Sequence, residues 1–83
     1  MTDDTSATSG YAPIDCDRYS EFELAILHRQ RLRIRWVEDN VVHEEDLDPV
    51  DLQTLAGEEF LICQRHENQV RIRLDRIRQW HSV

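Results

Sequence analysis

The residues best suited to recognising another molecule stand together near the start of the chain, in Tyr11-Ala12-Pro13-Ile14-Asp15-Cys16-Asp17-Arg18-Tyr19-Ser20-Glu21-Phe22-Glu23. Their chemistry is non-covalent. Asp15, Asp17, Glu21 and Glu23 are acceptors for arginine or lysine, and Tyr19 sets an aromatic ring with a polar tip beside them. Carboxylates in the first turns of a helix also cap orphan amides and complement the helix dipole, at about 0.3–1 kcal/mol each. That role accounts for one or two of the acids. It does not call for Tyr11, Pro13, Ile14 and Tyr19 around them, whereas a surface that meets a basic partner does. Cap and contact surface both stand as readings of these residues.

A second candidate is the stripe Arg31, Arg33 and Arg35, with Arg71 and Arg73 to be joined to it across a sheet. Arginine forks onto phosphate, so the stripe raises the alternative of a small RNA-binding protein using an arginine-rich sheet face. Two features oppose it. The chain has no lysine and no exposed aromatic interleaved with the arginines to stack bases. Glu44, Glu45 and Asp46 are also near enough in sequence to pair across strands and neutralise the stripe.

Metal binding and catalysis find less support. Cys16, His28, His43, Cys63, His66 and His81 show no CxxC, HxH or HExxH spacing, so scattered histidines and two reduced thiols are expected, with no cofactor. There is no glycine-rich phosphate loop and no serine or cysteine in a nucleophile motif. The pairs Glu44-Glu45 and Glu58-Glu59 read as solvated faces, and a domain this small has little depth for a cleft. The expectation is a binding protein and not an enzyme.

These residues must be positioned by a few short elements. Residues 1–10 lack apolar periodicity and read as a disordered acidic tail, leaving 11–83 as a single domain. Phe22, Ala25 and Ile26 recur at helical spacing, with Leu24 and Leu27 widening the stripe, and predict a helix from about Asp17 to His28. Strict alternation over Arg31–Glu38 predicts a half-buried strand, Asp39-Asn40 a turn, and Val41–Asp46 the returning strand. Leu47–Glu59 contains Pro49 and Gly57 and lacks alternation. Phe60–Gln64 and Val70–Leu74 predict two further strands, Asp75-Arg76-Ile77 a turn, and Arg78–His81 a last short strand. Expected core residues include Leu24 and Leu27 on the helix and Leu32, Ile34, Trp36, Leu47, Phe60, Ile62, Val70, Ile72, Leu74 and Ile77 on the strands. The fold class is α+β, mainly β: one N-terminal helix followed by an antiparallel Sm-like or SH3-like barrel of about five strands.

Charge is arranged in blocks along the 83 residues, whose net charge is −7. Residues 1–28 balance at −5, 29–35 at +4, 36–59 at −9 and 60–83 at +3. So acidic a chain is repelled by free nucleic acid and attracted to a basic partner, including a protein surface that normally holds nucleic acid. No run of eighteen apolar residues exists and Met1–Ser6 is acidic and polar. The expectation is a cytoplasmic protein without membrane contact, monomeric when free.

The run Tyr11-Ala12-Pro13-Ile14-Asp15-Cys16-Asp17-Arg18-Tyr19, continued by Glu23-Leu24-Ala25, resembles the N-terminal signature of the Rof (YaeO) family. Members of that family are bacterial inhibitors of the transcription termination factor Rho. Glu59-Phe60-Leu61-Ile62 and Val70-Arg71-Ile72-Arg73-Leu74-Asp75-Arg76-Ile77 look like the family's closing strands, and the likeness covers about residues 11–79. Arg18 and Ser20 stand where the family pattern is acidic. The resemblance implies an Sm-like fold and an acidic helix region that docks on the N-terminal RNA-binding domain of Rho and blocks RNA binding. It carries the partner-binding role to Asp17, Tyr19 and Glu23, with Asp15 and Glu21 as supporting charges.

Overall fold

The computed structural model describes residues 16–83. The expected tail, residues 1–10, and Asp15 with Tyr11, Pro13 and Ile14 lie outside the described residues. One helix, α1 (Cys16–Leu27), precedes five strands: β1 (Leu32–Glu38), β2 (Val41–Leu55), β3 (Glu58–Arg65), β4 (Asn68–Arg73) and β5 (Ile77–Ser82). A 3₁₀ turn, Leu74–Arg76, joins β4 to β5.

Local chemistry accounts for the joints. The helix ends in a Schellman arrangement: Gln30 N–H donates to the Ala25 carbonyl at 2.9 Å and Arg29 N–H to that of Ile26 at 3.1 Å. Arg29 sits at φ 54°, in the left-handed region that glycine usually fills there. Asp39 and Asn40, at φ 53° and 62°, make the two-residue turn between β1 and β2. Ala56 and Gly57, at φ 52° and 79°, do the same between β2 and β3.

The strand order is β4-β3-β2-β1-β5, all neighbours antiparallel. Every pair except β1–β5 consists of consecutive strands. The 15-residue β2 carries the architecture: its first half, through Leu47, pairs with β1, and its second half, from Asp48, pairs with β3. The register shifts between Pro49 and Asp51, and a proline is tolerated at such a bulge because a ladder bond is already missing there. This is why Leu47–Glu59 shows no alternation: it holds most of one irregular strand and the start of the next. β4 and β5 end the order on opposite sides and are not paired with each other, so the sheet is open.

The core lies between the two halves of this bent sheet and under α1. Phe22, Ile34, Leu47, Leu61, Cys63, Leu74 and Ile77 are all shut off from solvent. Two sequence expectations need correction. Leu24 and Leu27 are 53% and 74% exposed, because only the Phe22/Ala25 face of α1 turns to the sheet. Phe60 is half-buried, whereas Ile62 is buried as expected, together with Leu61 and Cys63 on either side of it in the chain. Three consecutive buried residues mean that both faces of β3 are covered at its middle, which a two-residue repeat does not express. Val70 likewise sits at the margin of the core.

Candidate partner-binding surface

Helical geometry separates the expected site residues. At about 100° per residue, Tyr19 and Glu23 fall on one flank of α1, while Glu21 lies about 200° round from Tyr19. The Trp80 indole N–H on β5 donates to Glu21 Oε1 at 3.1 Å, which holds Glu21 on the opposite flank. Asp17 is exposed in the first turn. Of the five expected residues, Tyr19 and Glu23 are brought together, Asp17 and Glu21, four residues apart, share the opposite flank, and Asp15 lies outside the described residues.

Arg18 also belongs to the Trp80 side. Its guanidinium lies 4.9 Å from the Trp80 ring centroid and donates to the Ile77 carbonyl at 3.0 Å. Phe22 packs on the same indole at 4.9 Å between ring centroids. Arg18, Glu21 and Phe22 thus clasp β5, and an arginine at this position serves attachment of the helix.

The Tyr19 flank is different. Tyr19 is half-buried against the core, and its hydroxyl's pKa is raised by burial first and then by Glu59, Glu23 and Asp51. Shallow depressions lie on both sides of the ring. One is walled by Glu23, Ile26, Leu27, Asp51 and Leu52, the other by Cys16, Ser20 and Glu59. Three carboxylates therefore surround one tyrosine, beside exposed apolar Leu27. Asp51 and Glu59 were not legible as site residues. They belong to the acidic block 36–59, but only the bend of β2 and its pairing with β3 carry them to α1. The surface can accept cationic side chains on its carboxylates and cover an apolar or planar group with Tyr19 and Leu27.

The arginine stripe is occupied by its own neighbours. Arg31 holds Asp48 through two bonds of 2.9 and 3.2 Å, and Arg33 holds Asp46 through bonds of 2.7 and 3.2 Å. Arg35 stands 3.6 Å from Glu44. The β1–β2 register sets Arg33 opposite Asp46 and Arg35 opposite Glu44. Hydrogen bonds from Arg33 and Arg31 hold the Asp46 and Asp48 carboxyls below the usual carboxylate range. Glu45, expected in this ladder, turns instead to Arg65 on β3 at 2.9 Å. Arg71 and Arg73 do not join the stripe, since β4 is three places from β1 in the sheet.

Cys16 is exposed and Cys63 buried, both as free thiols, and burial pushes the Cys63 thiol up to about 12. Among the described residues, no group of three or more His, Cys, Asp or Glu side chains is placed to hold a metal ion. Among them, too, no helix is long and apolar enough to cross a membrane.

No family model matches the chain, and no curated protein matches it. Among solved structures the fold is similar to that of proteasome accessory factor B/C (PafBC) of Arthrobacter aurescens, with a TM-score of 0.72 at 23% identity. That match covers 88% of this chain and 12% of PafBC. At this identity the likeness concerns the fold of one small part of a much longer protein.

Proposed function

We propose that this protein is a Rof-type inhibitor of Rho-dependent transcription termination, acting without chemistry of its own in the bacterial cytoplasm. The flank of α1 centred on Tyr19 docks on the N-terminal RNA-binding domain of Rho and keeps RNA out. The finer fold within this reading is an Sm-like barrel, nearly closed, with the 3₁₀ turn bridging the gap between β4 and β5.

The observation that carries the proposal is the setting of Tyr19 among Glu23, Asp51 and Glu59 on an exposed helix flank. Surfaces that hold single-stranded nucleic acid combine cations for the phosphates with aromatic platforms for the bases. Carboxylates grouped around a tyrosine offer both partners in reverse: anions for the cations and a ring for the platforms. The motif run from Tyr11 to Ala25 supplies the identity of the partner, and the net charge of −7 would speed encounter with a basic surface.

The reading as an RNA-binding protein loses its best feature, because Arg31, Arg33 and Arg35 each face a carboxylate. The two readings separate in a fluorescence competition with Rho and a labelled pyrimidine-rich RNA at low salt. The inhibitor displaces RNA from Rho, does so less as salt rises, and binds little RNA alone. Undiminished RNA binding by Rho at low salt would end the proposal.

A further inference from the structure

The described surface has another recess, which Tyr19 and its carboxylates do not line. It lies where the end of β1, the following turn, β3, β4 and the 3₁₀ turn converge, and its volume is about 260 Å³. Trp36, Phe60, Arg71, Arg73 and Arg76 form its cationic and aromatic wall, with Glu38 and Asp39 contributing acid.

The state of the arginines distinguishes this place. Arg31, Arg33, Arg35 and Arg65 hold carboxylates on neighbouring strands, and Arg73 holds Asp75 at 2.7 Å. Arg71 has no carboxylate at ion-pair distance among the described residues; its guanidinium lies over the Phe60 ring, 5.0 Å from the centroid. A guanidinium stacked by its face keeps its in-plane N–H donors available. Arg76 comes no nearer than 3.9 Å to Asp75. Both residues are exposed.

Trp36 supplies an independent observation. Only 3% of it is exposed, and its indole N–H is a buried donor with no acceptor among the described residues. Buried donors are nearly always matched, and this unmatched one, itself closed to solvent, belongs to a residue that lines the recess. The group that suits it brings oxygen acceptors and negative charge together.

We infer that this recess binds a small oxyanion, the carboxylate or phosphate of a small molecule. Arg71 and Arg76 hold it through in-plane N–H groups, and a shift of these two side chains opens the Trp36 indole N–H to one of its oxygens. Glu38 and Asp39 set the ligand class. Together with the net charge of −7, they repel a polyphosphate or a nucleic-acid strand while tolerating a single anionic group.

The two indole N–H signals of Trp36 and Trp80 in a ¹⁵N-correlated NMR spectrum of the full chain provide the test, assigned with Trp80→Phe. Acetate, inorganic phosphate and tripolyphosphate are titrated in parallel, with chloride at matched ionic strength as reference. Acetate or phosphate should move the Trp36 signal saturably and leave the Trp80 signal, already bonded to Glu21, in place. Arg71→Gln and Arg76→Gln should each weaken that binding about tenfold, with Arg71→Lys intermediate, whereas Arg78→Gln should not change it. A response no larger than that to chloride overturns the inference. So does equal binding by the Arg71 and Arg76 variants, or a stronger response to tripolyphosphate than to phosphate. The first of these outcomes is read on the unaltered protein, so it stands even where a variant fails to fold.

Discussion

The indole N–H of Trp80 donates to Glu21 Oε1 across 3.1 Å, linking the last strand to the first turns of the helix, 59 residues apart in the chain. Around this bond Arg18 stacks on the same indole and Phe22 packs beneath it, so the edge strand β5 is fastened to α1 by three adjacent helix positions.

Glu21 should therefore behave as a fastening residue. Glu21→Ala removes the acceptor and is expected to lower stability by about 0.5–1.5 kcal/mol, the lower end being favoured by its exposure. Glu21→Gln keeps a carbonyl acceptor and should recover most of that loss. Urea midpoints at constant denaturant slope provide the measurement, and equal stability of the two variants would show the bond to be idle.

The Tyr19 flank should respond in function and not in stability. Glu23→Lys and Tyr19→Ala are each expected to weaken inhibition of RNA binding to Rho by about tenfold or more, as losses at the centre of an interface do. Asp51→Lys should act in the same direction, although it lies on β2. If competition is undiminished by all three while Glu21→Ala abolishes it, the docking face lies on the β5 side of the helix.

Stability should fall in acid through the arginine ladder. Asp46 and Asp48 titrate lower in the folded chain than ordinary carboxylates, because Arg33 and Arg31 donate hydrogen bonds to their charged forms. The unfolded chain then binds more protons as pH drops, so stability rises with pH in this window. The contribution is whole above the unfolded carboxylate value of about 3.9 and is lost as pH falls through the depressed folded values. The stability gap between the wild type and Asp46→Asn/Asp48→Asn should close on acidification from about pH 5 to pH 2 and shrink in high salt. A gap unaffected by either would mean the charges contribute nothing.

The thiols should differ sharply in reactivity. Cys63 is buried with its pKa pushed up to about 12, so almost none of it is thiolate at neutral pH, while Cys16 is exposed. A chromogenic disulfide reagent should titrate one thiol in the native protein and two in denaturant. Rapid native reaction of both would show that the strand holding Cys63 opens readily.

Much of this protein was legible in one dimension. Alternation of Leu32, Ile34 and Trp36 with arginines defined β1 and its buried face, and Asp39-Asn40 marked the turn with residues that tolerate positive φ. Helical spacing placed Phe22 and Ala25 on one apolar stripe, although Leu24 and Leu27 were the helix residues expected in the core. These signals are local, since they depend only on the period of the element and the conformational preferences of single residues. The burial of β3 on both faces, the continuity of β2 through Pro49 and the exposure of Leu24 and Leu27 are not local. Each depends on which neighbour supplies hydrogen bonds and which face that neighbour covers. The candidate site divides in the same way. Residue order alone showed acids clustered around a tyrosine at the helix start, and an arginine stripe on β1 with Glu44 and Asp46 near enough to neutralise it. It took the folded chain to show that Glu21 belongs to Trp80, that Arg31 takes Asp48 while Glu45 turns to Arg65, and that Asp51 and Glu59 stand beside Tyr19. Contacts between residues tens of positions apart are set by strand register and by the bend of β2, and no periodicity along the chain encodes them.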